Sequence, residues 1–459
     1  MAARRRPIKP VLLHYLLLFY FSLIIYSFVL SDLNYLRKGK NYMESITLTP
    51  GKLSGEITIE PSKSIAHRAI ICAALSNGKS IISPIHLSED IRATVLCVRA
   101  LASDADFYEN QLYMDGSHIF EESCCLLDCR ESGSTLRFML PIAAVSGLPC
   151  RFIGKGRLPS RPIGTIIKLL KEHGVQCSRD DGLPLDIIGK LTSGEFKLEG
   201  NISSQYITGL MFALPLLDGD SKIILTTELQ SAGYIDLTID VLKSFGIEIE
   251  AIENGWEIKG NQEYQPNNYI IEGDWSQAAF YLSAAALGCD LKIKGLNIQS
   301  KQGDKRALNI FKRFGADINI DEDVIYAKGN KLIAQDIDAS QIPDLVPAIA
   351  IAASVADGVT HITGAGRLKI KESDRLKSTA DMINSLGGQC EITDDGLIIK
   401  GVKKLYGGNV NSYSDHRIVM AAAIASTVCE QPVTILEPGA VNKSYPDFFR
   451  HFEMLSAIK

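Results

Sequence analysis

Six apolar, Ala-rich runs punctuate the chain, at residues 65–75, 138–145, 206–217, 278–287, 345–355 and 418–427. Each is opened by a short, mostly polar cluster: Ser62-Lys63-Ser64, Glu131-Ser132-Gly133-Ser134, Ser203-Ser204-Gln205, Trp275-Ser276-Gln277, Ile342-Pro343-Asp344 and Ser414-Asp415-His416-Arg417. A Ser or Asp before such a run predicts a helix start, because its side chain accepts a bond from a free backbone N–H. In the first cluster Ser62 or Ser64 fills that place, and the helix is expected to stop near Gly78. With Ser64, Ser134, Ser204, Ser276, Asp344 and Asp415 as marks, the steps are 70, 70, 72, 68 and 71 residues. A period that regular signals an internal repeat.

Between these runs lie helical patterns with one apolar face, at 163–173, 235–245, 305–314 and 374–386. They stop at Gly174, Gly246, Gly315 and Gly387, a C-terminal glycine signal. After each glycine two short alternating segments flank a polar turn, which predicts a hairpin. The pairs are 176–178 with 185–188, 248–252 with 256–258, 317–320 with 324–327, and 389–392 with 397–399. The unit reads strand, helix, strand, helix, hairpin: a βαβαββ pattern, six times over. Six units exceed one core, so two halves of three are expected. Helices apolar nearly all round belong inside, and amphipathic ones face solvent. If the inner helices of a half run parallel, their N-termini gather on one face. Two such faces across a cleft would attract anions strongly.

The chain has 459 residues and a net charge of −5, which speaks against nucleic acid as a partner. Its cations must therefore act as a local cluster. The ten cysteines are scattered, and Cys124, Cys125 and Cys129 lack a C-x-x-C pair or a nearby His. Reduced thiols in a cytosolic protein, with no metal site, are expected. Residues 11–30 form an apolar run without Asp, Glu, Lys or Arg, long enough to span a bilayer. Basic residues stand on both sides of it, which blurs any orientation signal. Three readings stay open: a true start at Met43, which is preferred, a membrane anchor, or a signal peptide. Residues 1–42 are set aside from the fold as an apolar extension.

The first cluster carries chemistry as well as a helix start. Helix geometry puts Ser64 and Arg68 one turn apart on one face, with Lys63 at the mouth. A hydroxyl, an ammonium and a guanidinium then surround a helix N-terminus, a place suited to phosphate or carboxylate.

Ser62-Lys63-Ser64 with Arg68, Ser203-Ser204-Gln205, Lys371-Glu372-Ser373-Asp374-Arg375 and Asp415-His416-Arg417 together resemble the motifs of the enolpyruvyl transferases, in order and over residues 46–455. Within them the pattern is most similar to the 3-phosphoshikimate 1-carboxyvinyltransferases. The resemblance implies an α/β fold, a two-domain inside-out α/β barrel. Domain I would comprise residues 43–61 and 274–459, and domain II residues 62–273. The chain would cross near Pro61 and return near Gly273. The implied reaction moves the enolpyruvyl group of phosphoenolpyruvate to the 5-hydroxyl of shikimate 3-phosphate and releases phosphate. It belongs to chorismate and aromatic amino acid biosynthesis, and needs no metal or organic cofactor. The partners expected are these two small molecules and no nucleic acid. A cytoplasmic monomer is expected unless residues 11–30 are a real anchor.

By the same resemblance, Lys63, Gly133, Arg161, Gln205, Arg375, Arg417 and Lys443 hold phosphoenolpyruvate. Lys63, Ser64, Arg68, Ser203, Ser204, Gln205, Ser231, Asp344 and Lys371 hold shikimate 3-phosphate. Arginine forks suit both anions because they bond in pairs. The catalytic set would be Asp344 as proton acceptor, Glu372 near the carbon that is protonated, Lys63, and His416 as acid/base group or brace. Carboxylates among cations stay ionised, so burial or ligand charge must offset that before one donates a proton.

Two departures stand out. Many relatives carry Gly-Asn-Ala-Gly-Thr where this chain has Arg130-Glu131-Ser132-Gly133-Ser134, and Arg130 is expected to neutralise Glu131. Arg367 stands where relatives carry an asparagine near the substrate. The first rival reading is the sister transferase acting on UDP-N-acetylglucosamine. Its reactive cysteine falls five residues before the arginine matched by Arg161, where this chain has Gly156. The second is a non-catalytic anion-binding repeat protein, against which the intact Lys63, Asp344, Glu372 and Arg417 speak.

Overall fold

A computed structural model describes residues 44–122 and 124–456; the apolar run at 11–30, and with it the three readings of the N-terminus, lies outside them. The described helices form two series. The Ala-rich series is α1 (Lys63–Leu75), α3 (Gly133–Ser146), α5 (Ser204–Ala213), α7 (Trp275–Ala286), α9 (Val346–Ala353) and α11 (His416–Ala425). These are buried on nearly all sides, because small side chains let neighbours close in. A Cβ added at Gly209 of α5 would sit 2.4 Å from the Arg137 carbonyl of α3. The second series is α2 (Glu89–Ala100), α4 (Gly164–Glu172), α6 (Ala232–Ser244), α8 (Ala307–Phe314), α10 (Arg375–Ser385) and α12 (Phe448–Ser456). These keep a solvent face.

Among the described residues six sheets lie outside the inner helices. Five have four strands with one shared pairing: two parallel strands, then an antiparallel hairpin. In one of them Glu195–Leu198 runs parallel to Ser221–Leu225, with Phe196 beside Ile223. Ile223 faces Trp256 of the antiparallel Gly255–Ile258. Alternation turns Phe196, Leu198, Ile223, Trp256 and Ile258 inward and Glu195, Lys197 and Lys222 outward. The sixth sheet draws on both ends of the chain. Gly408–Asn411 lies parallel to Val433–Leu436, which pairs antiparallel with Ser45–Leu48.

Two hydrophobic cores result, each with helices inside and sheets outside, which is the inside-out arrangement. One joins Leu48, Leu53, Ile57 and Ile59 to a set running from Trp275 to Leu455. The other runs from Ile65 to Ile271. The chain passes between these lobes twice, side by side. Ser62 N–H donates to Glu272 O at 2.8 Å, and Asp274 N–H to Glu60 O at 2.9 Å. Gln302 ties the crossings together. Its Nε2 donates to Gly273 O and Glu272 Oε1, both at 2.8 Å, and its Oε1 accepts from Ser62 Oγ and Trp275 N.

That arrangement changes how α1 is capped. Ser62 occupies the N-cap position, but its hydroxyl makes no cap bond. The Lys63 N–H instead donates to Asp274 Oδ2 at 3.0 Å, and Asp274 Oδ1 caps α7 through Gln277 N at 3.0 Å. One carboxylate thus serves two helices in two lobes. Asp344 lies in a 3₁₀ turn, Pro343–Leu345, which leads into α9, and its side chain makes no cap bond. Among the described residues no helix is long and apolar enough to cross a membrane.

Candidate active site

The starts of the inner helices are stitched to one another by side chains. In the second lobe Gln205 Nε2 donates to Ser134 Oγ at 2.9 Å, and Arg137 Nη1 donates to Gln205 Oε1 at 3.1 Å. In the first lobe Arg375, opening α10, reaches the turns before α9 and α11: Nη1 donates to Asp344 Oδ1 at 2.8 Å and Nε to Asp415 Oδ2 at 2.9 Å. Arg417 Nη1 donates to Asp344 O at 2.9 Å. Across the lobes, Arg161 Nη1 meets Glu372 Oε1 at 3.3 Å, and Tyr234 OH donates to Asp344 Oδ2 at 3.0 Å. The positive ends of six helices therefore open on one region.

Arg375 is its hub. It is 1% exposed and also bonds Glu372 Oε2 at 2.6 Å, so one guanidinium serves three carboxylates. Lys371 and Arg417 each approach Asp344 to 3.6 Å. Lys63 Nζ pairs with Asp90 at 2.7 Å. Gly133 keeps room for Arg161: a Cβ there would lie 2.6 Å from Arg161 Nη1.

These contacts fix protonation. Burial pushes the Asp344 carboxyl up, but Arg417, Lys371 and Arg375 outweigh it and hold the group well below its ordinary value. Glu372 behaves alike: burial raises it, while Arg161, Arg375 and Lys443 hold it well below. Burial lowers His416 to about 3, so its imidazole is neutral, and its Nδ1 has no hydrogen-bond partner. Burial, then the charge of Asp344, lifts Asp304 to about 6, and Ser276 donates to that carboxylate.

The acceptor-side residues are less uniform. Arg68 is a buried brace: Nε donates to Thr238, Nη1 to Ser64 O and Nη2 to Tyr234 O, with the guanidinium 5.4 Å from the Phe138 ring centre. Ser203 caps α5 through Gln205 N at 3.3 Å, and Ser204 is buried beside it. Ser231 has a φ of +59° at the start of α6, and its hydroxyl accepts from Arg367 rather than capping. Arg130 does not neutralise Glu131. It pairs with Glu89 at 2.8 Å, and Glu131 instead faces Lys443 at 3.7 Å.

Several participants escape a reading of motifs alone: Asp90, Arg137, Tyr234, Asp274 and Asp304. Arg137 follows Gly133 by the same interval that sets Arg68 behind Ser64, which is a usable signal. Asp274 falls in step with Asp344 and Asp415 in the repeat. Asp90 and Asp304 have no such mark.

Glu60, His86 and Asp447 offer ligand-type atoms within 4.8 Å of one another. The imidazole uses opposite nitrogens for the two carboxylates, Nδ1 at 3.1 Å from Glu60 and Nε2 at 3.6 Å from Asp447. The imidazole thus bridges the two carboxylates through opposite nitrogens, whereas a metal would gather all three groups onto one point.

The sequence profile of EPSP synthase (3-phosphoshikimate 1-carboxyvinyltransferase) matches residues 48–452, a span that takes in both lobes and the whole polar cluster. The chain belongs to the EPSP synthase family. The 3-phosphoshikimate 1-carboxyvinyltransferase of Clostridium perfringens (strain ATCC 13124) is 48% identical over 423 residues, covering 91% of this chain and 99% of its own. That of Clostridium novyi (strain NT) is 48% identical over 430 residues, covering 91% and 98%. An EPSP synthase structure from Acinetobacter baumannii superposes with a TM-score of 0.75 at 25% identity, covering 90% of this chain and 98% of that one.

Proposed function

We propose that this chain transfers the enolpyruvyl group of phosphoenolpyruvate to the 5-hydroxyl of shikimate 3-phosphate and releases phosphate, a step toward chorismate and the aromatic amino acids. The observation that carries the reading is the Arg375 hub. It sets Asp344 and Glu372 side by side where Lys63, Arg161, Lys371, Arg417 and Lys443 converge from both lobes. Both substrates are anions, so a site dense in oriented cations stabilises the bound pair and the charge that develops.

Asp344, held ionised, accepts the proton of the 5-hydroxyl as its oxygen attacks C2 of phosphoenolpyruvate. C3 takes a proton from Glu372. Facing Arg161, that carboxylate is held ionised, and Arg161 is the largest cationic influence on it. When Arg161 turns to the phosphoenolpyruvate anion, Glu372 loses that influence and its proton affinity rises. Substrate binding thereby arms the acid. The tetrahedral adduct then expels phosphate as Glu372 takes back a C3 proton. Arg375 has nearly all its N–H groups engaged, so it orients the carboxylates more than it grips ligand. Lys63, Gly133, Gln205, Arg417 and Lys443 complete the phosphoenolpyruvate side. Ser64, Arg68, Ser203, Ser204, Ser231 and Lys371 form the acceptor side. His416, neutral, is a brace.

The two cores act as two domains, residues 43–61 with 274–459 and residues 62–273, which close on the substrates about the paired crossings. Bonds such as Arg161–Glu372 and Tyr234–Asp344 support closure as the way the site is assembled. Scattering profiles unchanged by shikimate 3-phosphate plus glyphosate would count against it. The enzyme works in the cytoplasm, a reading that its ten unpaired cysteines support, and is expected to be a monomer. Phosphate release from phosphoenolpyruvate, measured with each acceptor after chelator treatment, tests the assignment. Release with shikimate 3-phosphate is expected; release only with UDP-N-acetylglucosamine overturns it.

A further inference from the structure

We propose that Arg367 is a specificity-determining residue that binds the acceptor's phosphate together with the hydroxyls of Ser203, Ser204 and Ser231. The inference rests on the proposed acceptor, shikimate 3-phosphate.

Arg367 belongs to the first lobe, in the 3₁₀ segment Gly366–Ile370. It reaches across to the second: Nη2 donates to Ser231 Oγ at 2.9 Å and to Ser340 O of its own lobe at 2.9 Å. Its Nε is buried without a hydrogen-bond partner among the described residues. Among the described residues no carboxylate comes within ion-pair distance of it, whereas Lys63, Arg161, Lys371, Arg375, Arg417 and Lys443 each have one. Arg68 and Arg137 also lack a carboxylate, but each makes three bonds and lies over an aromatic ring. Arg367 has neither compensation. A partly buried guanidinium in that condition is a standing demand for an anion.

The place it points to is a nest of hydroxyls. Gln230 N–H donates to Gly200 O at 3.1 Å and Asn201 N–H to Thr227 Oγ1 at 3.3 Å, which pins the loop carrying Ser231 against the loop entering α5. Ser203 and Ser204 open that helix. Gln341, from the same lobe as Arg367, holds the Ser231 loop by two further bonds, to Ala232 N at 2.9 Å and Leu229 O at 3.0 Å. Three hydroxyls and a helix start can bond a phosphate dianion but cannot balance its charge; Arg367 supplies the charge. A serine hydroxyl that accepts from a guanidinium keeps its own hydrogen to donate. Ser231 thus passes the pull of Arg367 on to a phosphate oxygen, while the unengaged N–H groups of Arg367 bond it directly.

The test is titration calorimetry with shikimate 3-phosphate and with shikimate, which keeps the carboxylate and ring hydroxyls but lacks the phosphate. Arg367→Ala should weaken shikimate 3-phosphate binding by about 10- to 100-fold, the loss expected for a charge-assisted bond. Shikimate binding should stay within about twofold on the same scale. Arg367→Lys, which keeps the charge without the fork, should fall between and guards against misfolding, together with a melting curve. Equal weakening toward both ligands overturns the proposal, because it makes Arg367 a support for Ser231 or a carboxylate ligand. No change toward either overturns it as well. If the unaltered chain fails to bind shikimate 3-phosphate at all, the acceptor assignment itself falls, and this inference with it.

Discussion

Replacing Arg375 with methionine removes the counter-charge of three carboxylates and leaves much of the volume filled. The consequences are unequal. Asp344 keeps Lys371 and Arg417, each at 3.6 Å, and Glu372 keeps Arg161 at 3.3 Å. Asp415 is 0% exposed and keeps, among the described residues, the Ser373 hydroxyl and the Arg417 N–H, both at 2.9 Å, with the neutral His416 imidazole 3.8 Å away. The uncompensated charge therefore falls mainly on Asp415, and the expected loss is on the order of 3–5 kcal/mol at neutral pH. That corresponds to roughly a hundred- to several-thousand-fold in the folding equilibrium. The sign with pH is the sharper test. In the unaltered chain Asp344, Glu372 and Asp415 have depressed values. They stabilise the fold fully above the unfolded carboxyl range of about 4, and that stability is lost as pH falls below it. In Arg375→Met, burial is left to raise Asp415, so its ionised form costs stability that returns as pH falls. Urea midpoints at pH 7, 6 and 5 should show the gap between the two proteins narrowing with acid. A gap constant from pH 7 to 5, or smaller than about 1 kcal/mol throughout, would refute the hub.

Asp274→Asn keeps one acceptor and turns an amide toward the other N–H, so it should lose one helix cap, about 1 kcal/mol. Asp274→Ala should lose both, about twice that, and equal urea midpoints for the two variants would contradict the double cap. Gly133→Ala puts a methyl 2.6 Å from Arg161 Nη1 and 2.7 Å from Arg137 Nη1, and displaces both guanidinium groups. The KM for phosphoenolpyruvate should rise roughly tenfold while that for shikimate 3-phosphate holds, and steady-state kinetics showing the first unchanged would be decisive against it. His86 is raised above its ordinary value chiefly by its bond to Glu60. Its contribution is therefore full below the unfolded value, about 6.5, and is lost as pH climbs through the higher folded one. His86→Ala should lower the urea midpoint more at pH 6 than at pH 8; the same shift at both pH values would remove the bridge from consideration.

Much of the fold was written locally. Apolar runs behind Ser or Asp gave the inner helices, and terminal glycines gave α4, α6, α8 and α10. α2 carries no such glycine: it ends toward Ala102, which takes the left-handed φ of +70° that elsewhere falls to Gly174 or Gly246. What stayed hidden depends on distant partners. Ser62 looks like the cap of α1, yet the cap comes from Asp274 on the other crossing, because the two passages lie side by side. Arg130 and Glu131 are neighbours in sequence, but a φ of +48° at Arg130 goes with its pairing to Glu89, away from Glu131. Most motif residues of the candidate site stand at or just before a helix start, which made them legible; Lys443 instead closes the 3₁₀ turn Pro438–Lys443. Their protonation was not, since it depends on which cations the opposite lobe brings.

The sheet built from Ser45–Leu48 and Val433–Leu436 sets a timetable for a chain made from its amino end. One of its strands is synthesised long before its neighbour, with nearly the whole of both lobes between them. Ser54–Thr58 likewise waits for Asp290–Lys294, whereas the core from Ile65 to Ile271 has all its own pieces in a single stretch. Nascent chains arrested shortly after residue 300 should therefore already carry one protease-resistant body, with their leading strands still open to digestion.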